Sequence, residues 1–410
     1  MGAADPSRPA VSFPDALSSR QQWLEPFEWY RQMRADSPVR YDPQRDLWDV
    51  FRYDDVKYVL DTDSVFSADP TTMPGFETQV ADAGDEPPAV FETMLFADPP
   101  EHARLRGLVQ EFFQPRAIAE QAGQIRELTD SYLEGLENEF DLVSEVAYPI
   151  PVDVIAMMLG VPTDDRRQFK QWSDTLIERP SAQTEAALQA YQQRQQAVQQ
   201  EMSAYFSALI EARRAEPQDD LISAVIDADI ERQRLSHREL IGFCTLLLVA
   251  GNITTTNLIT NAMRCFTSQP RVIDELNAGE LSISSAIEEA LRYRSPVQAV
   301  FRVATEPTEL GGRTIPEGTG VVAWLGSANR DERIFDAADE FVADRQPNQH
   351  LSFGYGTHYC LGAPLARLEA QIALQSLLER FETFEPLETE LQPIRSSFIY
   401  GVEAYPVLVS

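Results

Sequence analysis

The chain has 410 residues, of which 43% are hydrophobic, enough for a large globular core. It carries 34 Lys and Arg against 65 Asp and Glu, a formal net charge of −31, and a surface this acidic repels the phosphates of nucleic acids and of anionic membranes. We therefore expect neither nucleic acid nor a membrane as a partner.

The basic residues are almost all arginines, because only Lys57 and Lys170 are lysines. An acidic, lysine-poor surface is typical of a halophilic protein, in which counterions screen the self-repulsion. An acidic cytosolic protein from an arginine-biased genome is the alternative interpretation. Residues 1–15 lack the basic and apolar segments of a signal peptide and are expected to be disordered. The most apolar run, residues 241–251, is shorter than the about 20 residues that span a bilayer, so a cytoplasmic location is expected.

Local patterns, taken in chain order, predict mostly helices. Residues 47–53 (LWDVFRY) alternate as a strand does, and residues 101–227 then form a series of amphipathic helices, the longest over 181–215. Ser236 and Glu239 form a capping box at the start of a helix that continues to about residue 268. Such a helix is about 50 Å long, which favours a single domain over residues 1–410. Strand signals recur only over 297–325 and near the C-terminus, so any sheets are small.

The strongest motif surrounds one of the three cysteines. Cys244 and Cys265 lie in apolar helical segments and are expected to be core residues without a disulfide framework. Cys360 instead lies in FGYGTHYCLG, residues 353–362, directly before a helix whose positive end favours a thiolate. The three glycines of the motif permit a close approach of the backbone to a flat cofactor that a Cβ would block.

Three other interpretations of this loop explain less of it. An unliganded cysteine in a turn accounts for Cys360 but not for the Phe, His and glycines around it. A dinucleotide loop requires a preceding strand and a βαβ unit, and neither is predicted. A zinc site requires further Cys or His ligands at short spacing, and only His358 is near.

The segment FGYGTHYCLG resembles the haem-binding signature of cytochrome P450 monooxygenases of the soluble bacterial and archaeal type, and the resemblance extends from DPPEH at residues 98–102 to the end. It implies a mostly α fold with small β-sheets, a long central helix over the haem, and haem b as cofactor. Cys360 is then the iron ligand, and its thiolate donates electron density that helps to break the O–O bond. The haem-contacting positions of this signature are Phe353, Gly354, His358, Cys360 and Gly362.

A second motif lies in AIEEALRYRSP. Glu289 and Arg292, three residues apart on a helix, share one face and can pair, and a surface ion pair is the ordinary interpretation of that spacing. The resemblance implies instead the buried E-x-x-R pair that braces the cysteine loop. The family often supplies a third, arginine partner at the position that Glu340 occupies here, so Arg345 is our candidate for it.

Other positions match the family's cofactor and oxygen sites. His102, Arg106, Arg302 and His358 are candidates to bind the haem propionates with charge-assisted hydrogen bonds. The segment AGNITT, residues 250–255, matches the oxygen-activating turn, in which Ala250 contacts haem and Gly251 and Thr254 serve oxygen. Ile253 replaces the usual acid, so protons must come from water, Thr254, Thr255 or Asn252. An ordinary monooxygenase with an altered relay, a peroxide-using or otherwise atypical enzyme, and a non-catalytic haem-binding sensor all remain open.

The pocket positions implied by the family are apolar, which favours a terpenoid, steroid or fatty-acyl substrate. They are Phe91, Leu247, Ala250, Val297, Val300, Phe301, Phe398 and Ile399. The chain has no flavin or iron–sulfur motif, so electrons are expected from a ferredoxin-type partner and its reductase, and the protein is expected to be a monomer. Arginines are expected to form the docking face on this acidic protein, namely Arg104, Arg116, Arg330 and Arg333.

Overall fold

The structure, a computed structural model, describes residues 13–75, 89–177, 185–228, 234–387 and 390–410. The prediction of disorder for residues 1–15 falls mostly outside these residues. Two compact units are present: one comprises 1–74, 126–147 and 254–410, and the other comprises 75–125 and 148–253. We call them the cysteine unit and the helical unit. The single-domain prediction stays a prediction.

The described helices follow one another with short connections through most of the chain. In order they are α1 (Arg20–Leu24), α2 (Phe27–Asp36), α3 (Tyr53–Asp61), α4 (Glu101–Val109), α5 (Pro115–Glu120), α6 (Ala122–Leu133), α7 (Pro149–Met158), α8 (Arg166–Ile177), α9 (Glu185–Ala215), α10 (Leu221–Asp227), α11 (His237–Thr267), α12 (Pro270–Asn277), α13 (Ile283–Tyr293), α14 (Leu325–Ala328) and α15 (Ala363–Arg380). The mostly helical prediction is confirmed.

The described strands all lie in the cysteine unit. They are β1 (Val39–Asp42), β2 (Leu47–Val50), β3 (Phe66–Ser67), β4 (Glu139–Asp141), β5 (Val300–Ala304), β6 (Thr308–Leu310), β7 (Arg313–Ile315), β8 (Gly320–Ala323), β9 (Phe384–Pro386) and β10 (Pro406–Val409). The largest sheet has the order β1-β2-β8-β5-β3, and only the β2–β8 pair in it is parallel. A sheet of order β4-β10-β9 and the β6–β7 hairpin complete the set.

An aromatic cluster forms part of the core of the cysteine unit. The rings of Phe51 and Trp324 are stacked with centroids 6.0 Å apart, and Trp29 meets both of them edge-on. The indole N–H of Trp324 donates to the buried carboxylate of Asp49 at 2.8 Å, which fixes the ring against the largest sheet.

In the helical unit, α8 and α9 pack through aromatic side chains. Phe169 on α8 meets Phe206 on α9 edge-on at 5.9 Å, and Trp172 meets Tyr205 at 5.3 Å. Trp172 also donates its indole N–H to Glu201 at 3.0 Å. Burial of Phe169, Phe206 and Trp172 stabilises the contact between the two helices.

Helix α11 begins as the capping box predicts. The Ser236 hydroxyl accepts from the Glu239 backbone N–H at 3.2 Å, and the Glu239 carboxylate accepts from the Ser236 N–H at 2.6 Å. By length and composition alone this helix could cross a membrane, so the apolar segment is longer than predicted. Of its most apolar window, 56% is buried inside the protein, as in a core helix.

Candidate functional site

The cysteine loop is closed by short backbone hydrogen bonds. The Cys360 N–H donates to the Phe353 carbonyl at 2.8 Å, and the Gly354 N–H donates to the Leu351 carbonyl at 2.8 Å. Gly354 and Gly356 have φ angles of +75° and +71°, a region that L residues with a Cβ rarely adopt. These bonds hold the thiol of Cys360, which is half-buried, at the mouth of the loop.

Two glycines of the loop, one on each side of Cys360 in the chain, differ in the space around them. A Cβ at Gly362 would meet nothing within 4 Å, whereas one at Gly356 would lie 3.0 Å from the carbonyl oxygen of Leu60. Helix α15 begins at Ala363, so its positive end lies close to residue 360 in the chain. The loop therefore fits a flat group ligated through sulfur. Cys244 and Cys265 are buried, as predicted, and burial raises the pKa of both thiols.

Glu289 and Arg292 are fully buried, and Glu289 is the centre of an ionic cluster rather than part of a surface ion pair. Its Oε1 accepts from Arg292 Nη2 at 2.7 Å and from the Val342 N–H at 2.9 Å, and its Oε2 accepts from Arg292 Nε at 2.8 Å. Arg345 Nε lies 3.1 and 3.0 Å from the two oxygens, and Asn348 donates to Oε2 at 3.2 Å. The structure thus places the candidate third partner, Arg345, directly on Glu289.

Arg292 extends this cluster to the backbone of the segment before the cysteine loop. Its Nη1 donates to the carbonyls of Asn329 and Ala338 at 2.9 and 2.8 Å, and its Nη2 donates to that of Glu340 at 2.7 Å. Glu340 therefore contributes its carbonyl, whereas the family often has an arginine side chain. Both Glu289 and Arg292 have no exposed surface, so each charge depends on the other for solvation.

The candidate propionate ligands are distributed over both units. In the cysteine unit, Arg302 is buried on β5 and donates to the Phe301 carbonyl at 2.8 Å, and half-buried His358 ends the 3₁₀ turn Gly356–His358. In the helical unit, His102 (2% exposed) and half-buried Arg106 lie one turn apart on α4, as their spacing predicts.

The AGNITT segment is continuous helix within α11, and its residues differ in exposure. Ala250 is exposed and Gly251, Ile253 and Thr254 are half-buried, whereas Asn252 and Thr255 are 1% and 3% exposed. Ala250 and Thr254, four residues apart, share the accessible face. Asn252 instead donates its amide N–H to the Ser173 hydroxyl on α8.

Gly251 has a packing reason to lack a side chain. A Cβ at this position would lie 2.9 Å from the Cδ1 of Ile155 on α7, a distance that real Cβ atoms do not show. A side chain at this position would make the end of the Ile155 side chain shift, so the glycine favours close packing of α11 on α7 in the helical unit.

The predicted pocket residues lie in both units and pack against different groups of side chains. Val297 and Ile399 pair in an antiparallel bridge, and Val297 and Val300 pack against one core cluster of the cysteine unit. Phe301 and Phe398 pack against the aromatic cluster instead. Val300 and Phe301 are adjacent on β5 and therefore point to opposite faces of the sheet, and their assignment to the substrate pocket stays a prediction. In the helical unit, Phe91 is half-buried beside Phe96, with ring centroids 4.8 Å apart, and Leu247 is buried.

One of the predicted docking arginines is not on the surface. Arg330 is 3% exposed, and its guanidinium lies 3.5 Å from the ring centroid of Phe27 and 3.8 Å from that of Tyr293. It donates to the Tyr293 carbonyl at 2.7 Å, and burial lowers its pKa. The prediction for Arg330 is therefore wrong, whereas Arg116 is almost fully exposed.

Three polar residues next to the loop were not predicted from the sequence. Glu288 accepts hydrogen bonds from Arg367 on α15, and it also lies within hydrogen-bonding distance of His350. The available signal was the pair of adjacent acids in AIEEALR, Glu288 and Glu289. The three-residue spacing to Arg292 accounts only for Glu289.

The fold and the loop define a mostly helical protein with a glycine-rich loop around a half-buried cysteine, and comparison with known proteins identifies that class. The family model described as Cytochrome P450 matches residues 283–407. The putative cytochrome P450 YjiB of Bacillus subtilis is 42% identical over 391 residues, 95% of either chain. The erythromycin C-12 hydroxylase of Saccharopolyspora erythraea is 39% identical over 357 residues, 86% of either chain. The crystal structure of CYP109E1 from Bacillus megaterium in complex with testosterone has a TM-score of 0.86 at 39% identity and covers 95% of this chain and 99% of that one.

The chain belongs to the cytochrome P450 family. It has the P450 fold and is a cytochrome P450 monooxygenase, an oxidoreductase. The family implies a haem-thiolate cofactor. The residues present fit that group, because the loop offers a half-buried cysteine sulfur with open space beside Gly362.

Proposed function

We propose that the protein is a haem b monooxygenase that inserts one oxygen atom from O2 into an apolar small molecule. The observation that carries this proposal is the loop around Cys360, closed by its N–H bond to Phe353 and followed directly by helix α15. Haem, when bound, supplies the iron at which dioxygen is activated. The residues of this chain hold the haem and the substrate and position the proton donors.

The residues take the roles that the family membership implies. Cys360 would ligate the haem iron through its sulfur, and the propionates would be held by Arg302 and His358 in the cysteine unit and by His102 and Arg106 in the helical unit. The close contacts to the haem ring would come from Phe353, Gly354, Gly362 and Ala250. Glu289, Arg292 and Arg345 brace the loop from the buried cluster described above.

Proton delivery in this enzyme depends on Thr254 and on water. Ile253 cannot carry a proton, so the hydroxyl of Thr254, which is accessible on α11, is the polar group of this turn that can hold a proton-donating water. Asn252 and Thr255 are buried, and the Asn252 amide binds Ser173. We therefore assign Asn252 and Thr255 to support of the turn, and we assign proton delivery to Thr254 and water.

The substrate is proposed to be an apolar molecule of steroid, terpenoid or fatty-acyl type. Apolar side chains at Val297, Val300 and Ile399 in one unit and at Phe91 and Leu247 in the other support this class. The testosterone complex of CYP109E1 supports a steroid as the first probe.

Electrons are proposed to come from a ferredoxin-type protein and its reductase. Arg116 and Arg333 remain candidates for the docking face because both are at least partly exposed, with 93% and 45% of their side-chain surfaces accessible. We further propose a monomeric, cytoplasmic protein adapted to high salt, which the net charge of −31 supports.

The experiment is turnover of a steroid and fatty-acid panel with a surrogate ferredoxin, ferredoxin reductase and NADPH under ¹⁸O2. One ¹⁸O atom in a hydroxylated product is expected. Product formed only with hydrogen peroxide would favour the peroxide-using alternative that Ile253 suggests. Substrate-induced spectral shifts without product under either condition would favour a haem-binding sensor and contradict the proposal.

A further inference from the structure

Glu288, the neighbour of Glu289 on α13, makes a separate set of ionic contacts. Its Oε1 accepts from Arg367 Nε at 2.6 Å and its Oε2 from Arg367 Nη2 at 2.8 Å, a bidentate pair. His350 Nε2 lies 3.0 Å from Oε2. The Glu288 and Arg367 side chains are 31% and 34% exposed, and that of His350 is 4% exposed.

The two partners of Glu288 lie on opposite sides of the cysteine in the chain. His350 precedes the loop, and its Nδ1 accepts from the Ser352 N–H at 3.3 Å, which assigns the donating proton to Nε2. Arg367 follows the loop, in the second turn of α15. One carboxylate thus connects the segment that enters the loop to the helix that leaves it.

Arg367 also contacts the loop itself, at positions on both sides of the Gly356 turn. Its guanidinium carbon lies 4.4 Å from the ring centroid of Phe353, and its Nη1 donates to the Tyr359 hydroxyl at 3.3 Å. Phe353 provides the carbonyl that binds the Cys360 N–H, and Tyr359 is the residue before Cys360. The Arg367 guanidinium therefore contacts residues at both ends of the backbone segment that positions the Cys360 sulfur.

The contacts between Glu288 and Arg367 keep both side chains charged. Burial by itself would raise the pKa of Glu288, but hydrogen bonds from Arg367 and His350 lower it to about 2. Glu288 is thus an anion throughout the physiological range, and Arg367 keeps a permanent partner.

We propose that Glu288, His350 and Arg367 form a second ionic brace of the cysteine loop, independent of the Glu289 cluster, and that this brace positions the Cys360 sulfur for iron ligation. The inference rests on the proposed function, because it assumes that Cys360 is the haem ligand. The two braces differ in what they hold. The Glu289 cluster binds the backbone at residues 329, 338, 340 and 342, and the Glu288 brace binds His350, Phe353, Tyr359 and α15.

Two variants separate this positioning role from a role of Arg367 as a surface charge. Glu288→Gln leaves the charge of Arg367 in place but removes its anionic partner. Arg367→Lys keeps a positive charge but loses the fork that binds both oxygens and the flat face over Phe353. Glu275→Gln is the matched control, because it makes the same chemical change in a one-turn pair on α12, where Glu275 binds exposed Arg271 at 2.6 Å.

The first readout is the ferrous CO spectrum of the full-length protein during mild heating. Conversion from the thiolate-ligated band to the band of haem without a thiolate ligand is expected to be about fivefold faster or more in Glu288→Gln and Arg367→Lys than in the wild type. Glu275→Gln is expected to convert at the wild-type rate. Wild-type conversion rates in both brace variants would overturn the proposal, as would a defect in Arg367→Ala that Arg367→Lys fully rescues, because charge alone would then be sufficient.

The second readout does not depend on haem. Hydrogen exchange of peptides covering residues 351–361, measured by mass spectrometry on the same proteins, is expected to be faster in Glu288→Gln than in Glu275→Gln or the wild type. Unchanged exchange would overturn the brace. If the wild type lacks a thiolate CO band but Glu288→Gln still speeds exchange in the loop, the brace stands as a loop support and the haem-thiolate function fails.

Discussion

Replacement of Glu289 by Gln is the perturbation for which the structure predicts the largest loss of stability. Each oxygen of the carboxylate accepts from three N–H groups, and Arg345 Nε is shared between the two oxygens. A glutamine amide would turn its NH2 toward three of those donors in either orientation. It would also leave Arg292, which has no exposed surface, and Arg345 without their anion.

The cost follows from the loss of one partner in a buried ion cluster. Such a change destabilises by about 3–5 kcal/mol, a large fraction of the stability of most domains. Glu275→Gln makes the same chemical change in the pair with Arg271, whose side chain is 86% exposed, and is expected to cost less than about 1 kcal/mol.

Urea unfolding followed by far-UV circular dichroism measures both variants against the wild type. A markedly lower midpoint for Glu289→Gln, with Glu275→Gln close to the wild type, is expected. If both variants unfold within about 1 kcal/mol of the wild type, the Glu289 cluster is not the stabilising element that its geometry indicates.

Three further changes test separate parts of the account. Gly356→Ala would place a Cβ at a φ of +71°, 2.9 Å from Asp61 Oδ1 and 3.0 Å from the Leu60 carbonyl oxygen, so it should lower both haem content per chain and thermal stability. Gly279→Ala has the same φ but open space around the Cβ, so it measures the cost of the backbone conformation alone. Equal losses in the two variants would count against an effect of the close contacts at Gly356. Burial raises the pKa of Glu369 from 4.5 to about 8, so the folded state binds this proton more tightly than the unfolded state does. The wild type should therefore lose stability relative to Glu369→Gln as the pH rises from 4.5 to 8. A difference in unfolding free energy between the two proteins that does not change with pH would contradict this assignment. Ile253→Glu should raise the fraction of NADPH used for product, whereas Ile253→Gln, which cannot donate the proton in the same way, should not; equal coupling in the two variants would remove the proton-relay argument.

Local signals in the sequence predicted the elements that depend on neighbouring residues. The capping box at Ser236 gave the start of α11, and the loop glycines indicated the turn at Cys360. The strand predicted over residues 47–53 ends at Val50, because Tyr53 begins α3. The N–H of Tyr53 donates to Asp331 at 2.9 Å, a long-range contact that no local pattern contains.

The wrong and missed predictions at the site also concern contacts between residues that are far apart in the chain. Arg330 lies in the charged segment RDER, which favours exposure, but Phe27 and Tyr293 enclose its guanidinium from distant parts of the chain. Glu288 was missed because its partners, His350 and Arg367, are 62 and 79 residues away. Arg345 was found only because the family resemblance required a third partner for Glu289, and the structure places it there.

The ferrous CO spectra of three serine variants show which cysteine ligates the iron. Cys244→Ser and Cys265→Ser change buried cysteines of the core and should keep the thiolate-ligated band and the haem of the wild type. Cys360→Ser should lose that band while the far-UV circular dichroism stays helical. A Cys360→Ser protein with the pigment and thiolate spectrum of the wild type would contradict the assignment of Cys360 as the iron ligand.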